Sequence, residues 1–237
     1  MTKSIKYWAV VPAAGVGSRM QADVPKQYLL LNDKPVIEHS LSSLANHAAI
    51  SAVVVSVSAT DELWPALNLP PMKAPVWQAE GGAERCHSVL NGLHRLSPVA
   101  ADDDWVLVHD AARPCLRSED IDRLIDELST HECGGLLGLP VADTMKRSNA
   151  QGGVLETVSR EQLWRALTPQ MFRLGALRQA LEQALLDEYL VTDEASAMEH
   201  SGFQPQMVEG HGDNIKITRP QDLALAAMYL NQQRDVE

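Results

Sequence analysis

The sequence predicts an α/β protein built on a doubly wound, mostly parallel sheet, and three observations predict it. Short apolar runs alternate with longer stretches of helical periodicity, the pattern of strands buried on both faces between crossover helices. The first such run leads directly into a small-residue loop, Ala13-Ala14-Gly15-Val16-Gly17, of the kind that turns a strand toward a helix around a ligand. An apolar fraction of 45% and a charged fraction of 22% belong to a folded globular chain and exclude disordered and collagen-like ones. With 237 residues the chain is read as one domain, 1–237, with an arm at about 142–160.

Taken in order, Trp8 to Val11 is the first buried strand, and Val36 to Leu44 spaces its apolar residues as a helix does. Ala52 to Val57 is the second strand, and Cys86 to Leu96 a second helix. The strand Trp105 to Val108 precedes the helix Ile121 to Leu128, for which Ser118 is the expected N-cap and Glu119 and Asp120 an acidic first turn. Leu136 to Leu139 is a fourth strand. Asp143 to Arg147 and Val154 to Val158 read as short strands joined through Gln151-Gly152-Gly153, a hairpin projecting from the main sheet. Thr192 is expected to cap a helix starting at Asp193-Glu194, and Thr218-Arg219-Pro220-Gln221 has capping-box spacing before Leu223 to Leu230. The polar tail Gln232 to Glu237 is expected to fray.

With 31 acidic and 20 basic side chains the formal charge is -11, which argues against general binding to nucleic acid or an anionic membrane but leaves room for a local basic pocket. Three cysteines without a C-x-x-C pair suggest reduced thiols and a cytoplasmic protein. No run is long enough for a membrane span or a secretory leader.

Four segments carry candidate chemistry. In the loop after the first strand, small residues let backbone N–H groups approach polyphosphate, and Arg19 and Lys26 add positive charge there. Met20 stands where a dinucleotide fold wants Gly or Ala, and no G-x-x-x-x-G-K-[ST] run is present, so neither a nicotinamide site nor an ordinary ATPase loop fits. A tight structural turn with solvated charges is the alternative. Gly81 to Ser88, before a helix, is either a pocket edge that reads a base through backbone groups and a hydroxyl, or a plain capped loop. His87 and His94 read as surface or packing residues. The strand Trp105 to Val108 delivers Asp110 and Arg113 at its carboxyl end, where ligands bind in open α/β sheets. Asp110 can hold magnesium bridging phosphates, or pair with Arg113 to shape the turn. In Gly210 to Lys216, Asp213 and Lys216 could hold a hydroxylated, phosphorylated acceptor, unless the segment is only a glycine-rich turn.

Together PAAGVGSRM with PKQY, GGAERCHSV, VLVHDAARPC, PVADTMKR, LWRALTPQMF, TDEASAMEHSGFQPQMVEG and DNIKITRPQDL run over almost the whole chain, and in this order they resemble the 2-C-methyl-D-erythritol 4-phosphate cytidylyltransferase family of the non-mevalonate isoprenoid route. The resemblance implies a nucleotidyltransferase-type fold whose hairpin arm crosses a homodimer interface. It implies that Ala13, Ala14, Gly15, Gly17, Gly82 and Ser88 cradle CTP, that Arg19 and Lys26 neutralise its phosphates, and that Asp110 lies beside Mg2+ and nucleotide. Arg113 and Thr144 would sit near the acceptor, Asp213 and Lys216 would position it, and Arg160 and Thr168 would act on its phosphate from the partner subunit. Ala83 stands where relatives often carry Asp, so the resemblance leaves open whether the base is read by backbone or by a carboxylate. The implied reaction is direct in-line attack of the acceptor phosphate on the α-phosphorus of CTP, without a protein nucleophile. A cytidylyltransferase for ribitol 5-phosphate is the nearest rival, and a nucleotide sensor without turnover is the rival from another class. With the chain ending at Glu237, no fused downstream cyclase is expected.

Overall fold

The structure is a computed structural model that describes residues 4–15 and 24–234. In chain order its elements are β1 (Tyr7–Pro12), β2 (Leu30–Leu31), β3 (Lys34–Pro35), α1 (Val36–Ala45), β4 (Ile50–Val57), β5 (Val76–Glu80), α2 (Arg85–Leu96) and β6 (Trp105–Val108). They continue with α3 (Ser118–Leu128), β7 (Gly134–Pro140), β8 (Met145–Ser148), β9 (Val154–Val158), β10 (Trp164–Arg173), α4 (Leu174–Leu186), α5 (Glu194–His200), β11 (Gln206–Glu209) and α6 (Pro220–Arg234). Seven strands form one mixed sheet in the order β11-β7-β10-β6-β1-β4-β5. The pairs β1–β4, β1–β6, β4–β5 and β11–β7 are parallel, and β10 runs antiparallel between β6 and β7.

The period-two alternation of the buried strands divides the core into two layers. Ala9 and Val11 of β1, with Val53 and Val55 of β4 and Leu107 of β6, pack on Ile37, Leu41 and Leu44 of α1 and Ile121, Leu124 and Leu128 of α3. Trp8, Val10, Val54, Val106 and Val108 face the other way, onto Val89, Leu93 and Leu96 of α2 and Leu174, Leu177 and Leu181 of α4. Helices therefore cover both faces, as expected of a doubly wound sheet. No helix among the described residues is long and apolar enough to cross a membrane.

Several sequence expectations shift. The N-cap of α3 is Arg117, with no side-chain cap bond, and Ser118 is already helical. The α5 cap is Asp193 rather than Thr192, closing a capping box with Ser196. At α6 it is Asp222 that reaches back, accepting from the N–H groups of Thr218 and Arg219 and from the Thr218 hydroxyl. The helix runs on through Gln232 and Gln233 to Arg234, a stretch expected to fray, and the rest of that tail, residues 235–237, lies outside the described residues. Gln233 Nε2 is tied down by donating to Cys115 O at 3.1 Å and Asp213 Oδ2 at 3.0 Å.

The strands β8 and β9 form a separate two-stranded sheet, the first of them starting two residues later than Asp143. Asn149 organises its turn: Asn149 Oδ1 accepts from Gly153 N at 2.8 Å and Gln151 N at 3.1 Å, and Gly152 takes φ 85, which favours glycine. Met145, Val154 and Leu155 are exposed on this arm.

Candidate active site

In the sheet order β1 lies between β4 and β6, so the chain winds outward through β4 and β5 and then returns to the other side of β1. That reversal opens a crevice at the carboxyl ends of β1 and β6, the place where open α/β sheets bind ligands. One cleft there is lined by residues 12–15, by Lys26 and Gln27, by residues 82–85 and Ser88, by residues 110–112 and by Lys216. Five separated stretches of sequence thus meet at one site. Of the expected cradle, Ala13, Ala14, Gly15, Gly82 and Ser88 all line it, while Gly17 and Arg19 lie outside the described residues.

The walls are backbone held by side chains. Ala13 N donates to Ser56 O at 2.8 Å, extending the β1–β4 ladder. Gln27, buried, then donates from Nε2 to Ala13 O at 2.7 Å and Gly15 O at 3.1 Å, clamping the loop. Across the cleft, Ser88 Oγ accepts from Gly82 N at 3.0 Å and donates to Glu84 O at 3.2 Å, closing the turn before α2. A Cβ on Gly81 would stand 2.3 Å from Ala14 Cβ, so the two loops approach this closely only with glycine there. Lys26 Nζ donates to Ile217 O at 3.2 Å, beside Lys216 on the neighbouring loop.

Asp110 is the electrostatic centre. Its Oδ1 accepts from Arg85 Nε at 3.0 Å, Lys216 Nζ lies 2.7 Å from Oδ2, and Arg113 Nε lies 3.6 Å from Oδ2. Burial works against its charge, but Arg85, Lys216 and Arg113 outweigh it and hold the carboxyl well below the usual carboxylate range. Asp110 is therefore ionised at neutral pH. Oδ1 has one contact and keeps a lone pair, so a hard oxygen ligand is present in the cleft, which suits Mg2+.

Beneath Asp110 lies a buried hydrogen-bond chain. Asp110 N donates to Thr168 Oγ1 at 3.1 Å, Thr168 Oγ1 is 3.0 Å from His109 Nδ1, and His109 Nε2 is 2.9 Å from Arg113 O. A carbonyl can only accept, so Nε2 carries the proton and Nδ1 accepts from the threonine hydroxyl. Burial drives the His109 pKa down to about 4, consistent with this neutral ring. Asn214 completes the floor, donating from Nδ2 to Thr168 O at 2.7 Å while its own carbonyl accepts from Arg113 NH1 at 2.8 Å.

Some expected site residues stand elsewhere. Thr168 is 5% exposed and Arg113 8%, both outside the cleft lining and engaged in the floor. Asp213 accepts through Oδ2 from Arg117 Nε at 2.8 Å and from Gln233, which anchors the 210–216 loop to α3 and α6. Thr144 and Arg160 are exposed at the root of the arm, where Arg160 NH1 donates to Ala142 O. Three residues that sequence reading did not single out matter: Gln27, Arg85 and Glu194. Gln27 follows Lys26 directly, but nothing in its surroundings signals a loop clamp. Glu84, Cys86 and His87 bring potential ligand atoms within 4.8 Å of one another, but at the positive end of α2 and with the Cys86 thiol raised chiefly by burial, both unfavourable to a cation.

A small-residue loop, two lysines and an ionised aspartate around the switch point of such a sheet define a nucleotidyltransferase-type enzyme. Similarity to known proteins narrows the class. The sequence profile of the IspD family, 2-C-methyl-D-erythritol 4-phosphate cytidylyltransferase, matches residues 7–232, and the chain belongs to that family. Relatives bearing that name include one from Pseudomonas fluorescens (strain SBW25), 53% identical over 92% of each chain, and one from Hahella chejuensis (strain KCTC 2396), 53% identical over 96% of this chain and 94% of that one. Among solved structures, a 4-diphosphocytidyl-2C-methyl-D-erythritol synthase matches with a TM-score of 0.83 at 39% identity, covering 97% of this chain and all of that one. The Francisella tularensis 2-C-methyl-D-erythritol 4-phosphate cytidylyltransferase matches at 0.80 and 32% identity, covering 94% of this chain and 99% of that one.

Proposed function

We propose that the chain transfers the cytidylyl group of CTP to 2-C-methyl-D-erythritol 4-phosphate, giving 4-(cytidine 5'-diphospho)-2-C-methyl-D-erythritol and pyrophosphate for isoprenoid precursor synthesis. The observation that carries this reading is the meeting of Lys26, Lys216 and ionised Asp110 with two backbone-walled loops in one cleft of a chain belonging to this family. Ribitol 5-phosphate is the lesser candidate, because relatives of 53% identity carry the methylerythritol name.

The acceptor's phosphate oxygen attacks the α-phosphorus, the bond to the β-phosphate bridging oxygen breaks, and pyrophosphate leaves with that electron pair. The attacking phosphate is already anionic at neutral pH, so the protein's task is positioning and charge stabilisation. Ala13, Ala14, Gly15, Gly17, Gly82 and Ser88 cradle the nucleotide, and Arg19 and Lys26 take its phosphate charge. Asp110 would hold Mg2+, which supplies further neutralisation of the triphosphate. Lys216 meets the acceptor phosphate. Arg113, Thr168 and Asp213 act by holding the Asp110 and Lys216 loops rather than by touching the acceptor.

The exposed apolar residues of the arm support a homodimer in which each arm crosses to its partner, bringing Thr144 and Arg160 to the neighbouring site, since a lone two-stranded hairpin is unstable in water. One nucleotidyltransferase domain with a dimerisation arm, working in the cytoplasm, is the organisation we propose. The test is pyrophosphate release from CTP and Mg2+ with either polyol phosphate. Turnover with methylerythritol phosphate at least tenfold above ribitol phosphate is the expected result; the reverse preference, or no turnover with either, refutes the reading.

A further inference from the structure

Arg85 and Glu194 are 109 positions apart in sequence yet form a bidentate ion pair at the edge of the site. Each is the first residue of its helix, α2 and α5 respectively. Glu194 is fully buried, and its two oxygens accept from Arg85 NH1 at 2.6 Å and NH2 at 3.0 Å. The third guanidinium nitrogen, Nε, donates to Asp110 Oδ1 at 3.0 Å. One planar, rigid group is thus shared between a carboxylate outside the cleft lining and the carboxylate at its centre.

Holding α2 against α5 does not need such a pair. A buried ion pair loses so much hydration that apolar residues of similar volume commonly do the same packing as well or better. What an apolar pair cannot do is orient Asp110. The guanidinium fork fixed by Glu194 leaves Nε one direction, and Glu194 draws away part of the positive charge that Arg85 would otherwise press onto Asp110. Glu194 is itself immobilised: Asp193 closes the α5 capping box, Gln170 Nε2 donates to Asp193 Oδ2 at 2.9 Å, and Ala195 N donates to Gln170 Oε1 at 2.8 Å. Gln170 lies on β10 and pairs with Val108 at the end of β6, two residues before Asp110. The chain of supports therefore closes on the sheet.

The structure assigns Glu194 and Arg85 as positioning residues for cytidylyl transfer: Glu194 fixes Arg85, and Arg85 fixes the Asp110 carboxylate facing nucleotide and metal. The assignment rests on the proposed role of Asp110. Glu194→Gln keeps the size but removes the charge, freeing Arg85 to swing onto Asp110. The expected result is a kcat about 10–100-fold lower with KM for both substrates within about threefold, because misplacement rather than lost binding is the defect. Mn2+ affinity of the enzyme–CTP complex, read by electron paramagnetic resonance, should weaken by about tenfold, as when a supporting partner of a metal ligand is lost. The double variant Arg85→Met/Glu194→Leu should melt near the parent temperature and stay slow. Arg85→Lys, which keeps the charge but cannot span both carboxylates, carries the same kinetic expectation should Glu194→Gln fold poorly.

Recovery of parental kcat in a stable double variant overturns the assignment, since the pair would then be mere packing. So does a Glu194→Gln enzyme of lowered melting temperature with unchanged kcat and Mn2+ affinity. Asp110→Asn, measured alongside, tells the two failures apart. If it too keeps kcat and Mn2+ binding, the role of Asp110 was wrong; if it is inactive, only the positioning role has failed.

Discussion

Thr168→Val is an isosteric change with a large expected effect. The hydroxyl is a relay: it accepts from Asp110 N and donates to His109 Nδ1, both buried. Valine leaves a backbone N–H and a ring nitrogen without partners, at about 1–3 kcal/mol each, so roughly 2–6 kcal/mol in all. For a chain of this size each kcal/mol moves the melting temperature by about 2–4 °C, giving a drop on the order of 10 °C. Thr168→Ser keeps the relay and should lose only about 1 kcal/mol, the packing of one methyl. The assay is thermal and urea unfolding of the three proteins, with steady-state kinetics beside it. Because the relay holds Asp110, kcat should fall in Thr168→Val with little change in acceptor KM. A Thr168→Val protein that melts within about 2 °C of the parent while its acceptor KM alone rises would refute this reasoning and return Thr168 to direct contact with the acceptor phosphate.

Lys26→Ala and Arg19→Ala should each lower turnover about a hundredfold or more without unfolding the protein, checked by kinetics and circular dichroism. CTP should be preferred over UTP in competition assays, since backbone acceptors at residues 81–88 can serve the cytosine amino group; equal use would show that Ala83 has relaxed the base site. Mixing inactive Arg160→Ala and Lys26→Ala subunits should restore activity once exchange is verified by mass, because one site per heterodimer would be intact. His109 sets an acid limit: its folded pKa of about 4 lies below the ordinary 6.5, so the unfolded chain takes up the proton first and stability falls as pH drops from 6.5 toward 4. The loss reaches about 3 kcal/mol at pH 4, and His109→Gln should flatten that part of the urea-unfolding profile.

The parts of the fold legible in the sequence are those that hydrophobic pattern alone specifies. β1, β4, β6 and β7 read as apolar runs because they are buried on both faces, and α1, α2 and α3 as amphipathic stretches. β5 escapes that reading because, at the sheet edge, it is only half buried and carries Gln78 and Glu80. β10 escapes it for a stronger reason: Pro169 and the polar Thr168 and Gln170 argue against a central strand, and the β7 pairing accommodates them through a register irregularity between Ala166 and Gln170. Those same polar residues build the floor of the site. Arg85 and Glu194 were invisible because each sits at an unremarkable helix start, and no local spacing couples residues so far apart. Asp110 was legible because it lies beside Ala111 just past an apolar strand, Lys26 because it follows Pro25 shortly after the small-residue loop, and Lys216 because it stands three residues from Asp213 in a glycine-containing loop.

The cleft walls at Ala13, Ala14, Gly15 and Gly82 have a consequence for inhibition. A ligand that occupied the proposed nucleotide space would hold mainly to peptide groups, which no substitution other than proline deletes. Side-chain changes at the glycines can only add atoms, and at Gly81 an added Cβ already collides with Ala14. Bulk that shut out such an inhibitor would shut out CTP from the same space. Escape variants are therefore expected to arise at a distance, through expression or through the loops that hold the walls, with Gln27 and Ser88 the first positions to sequence.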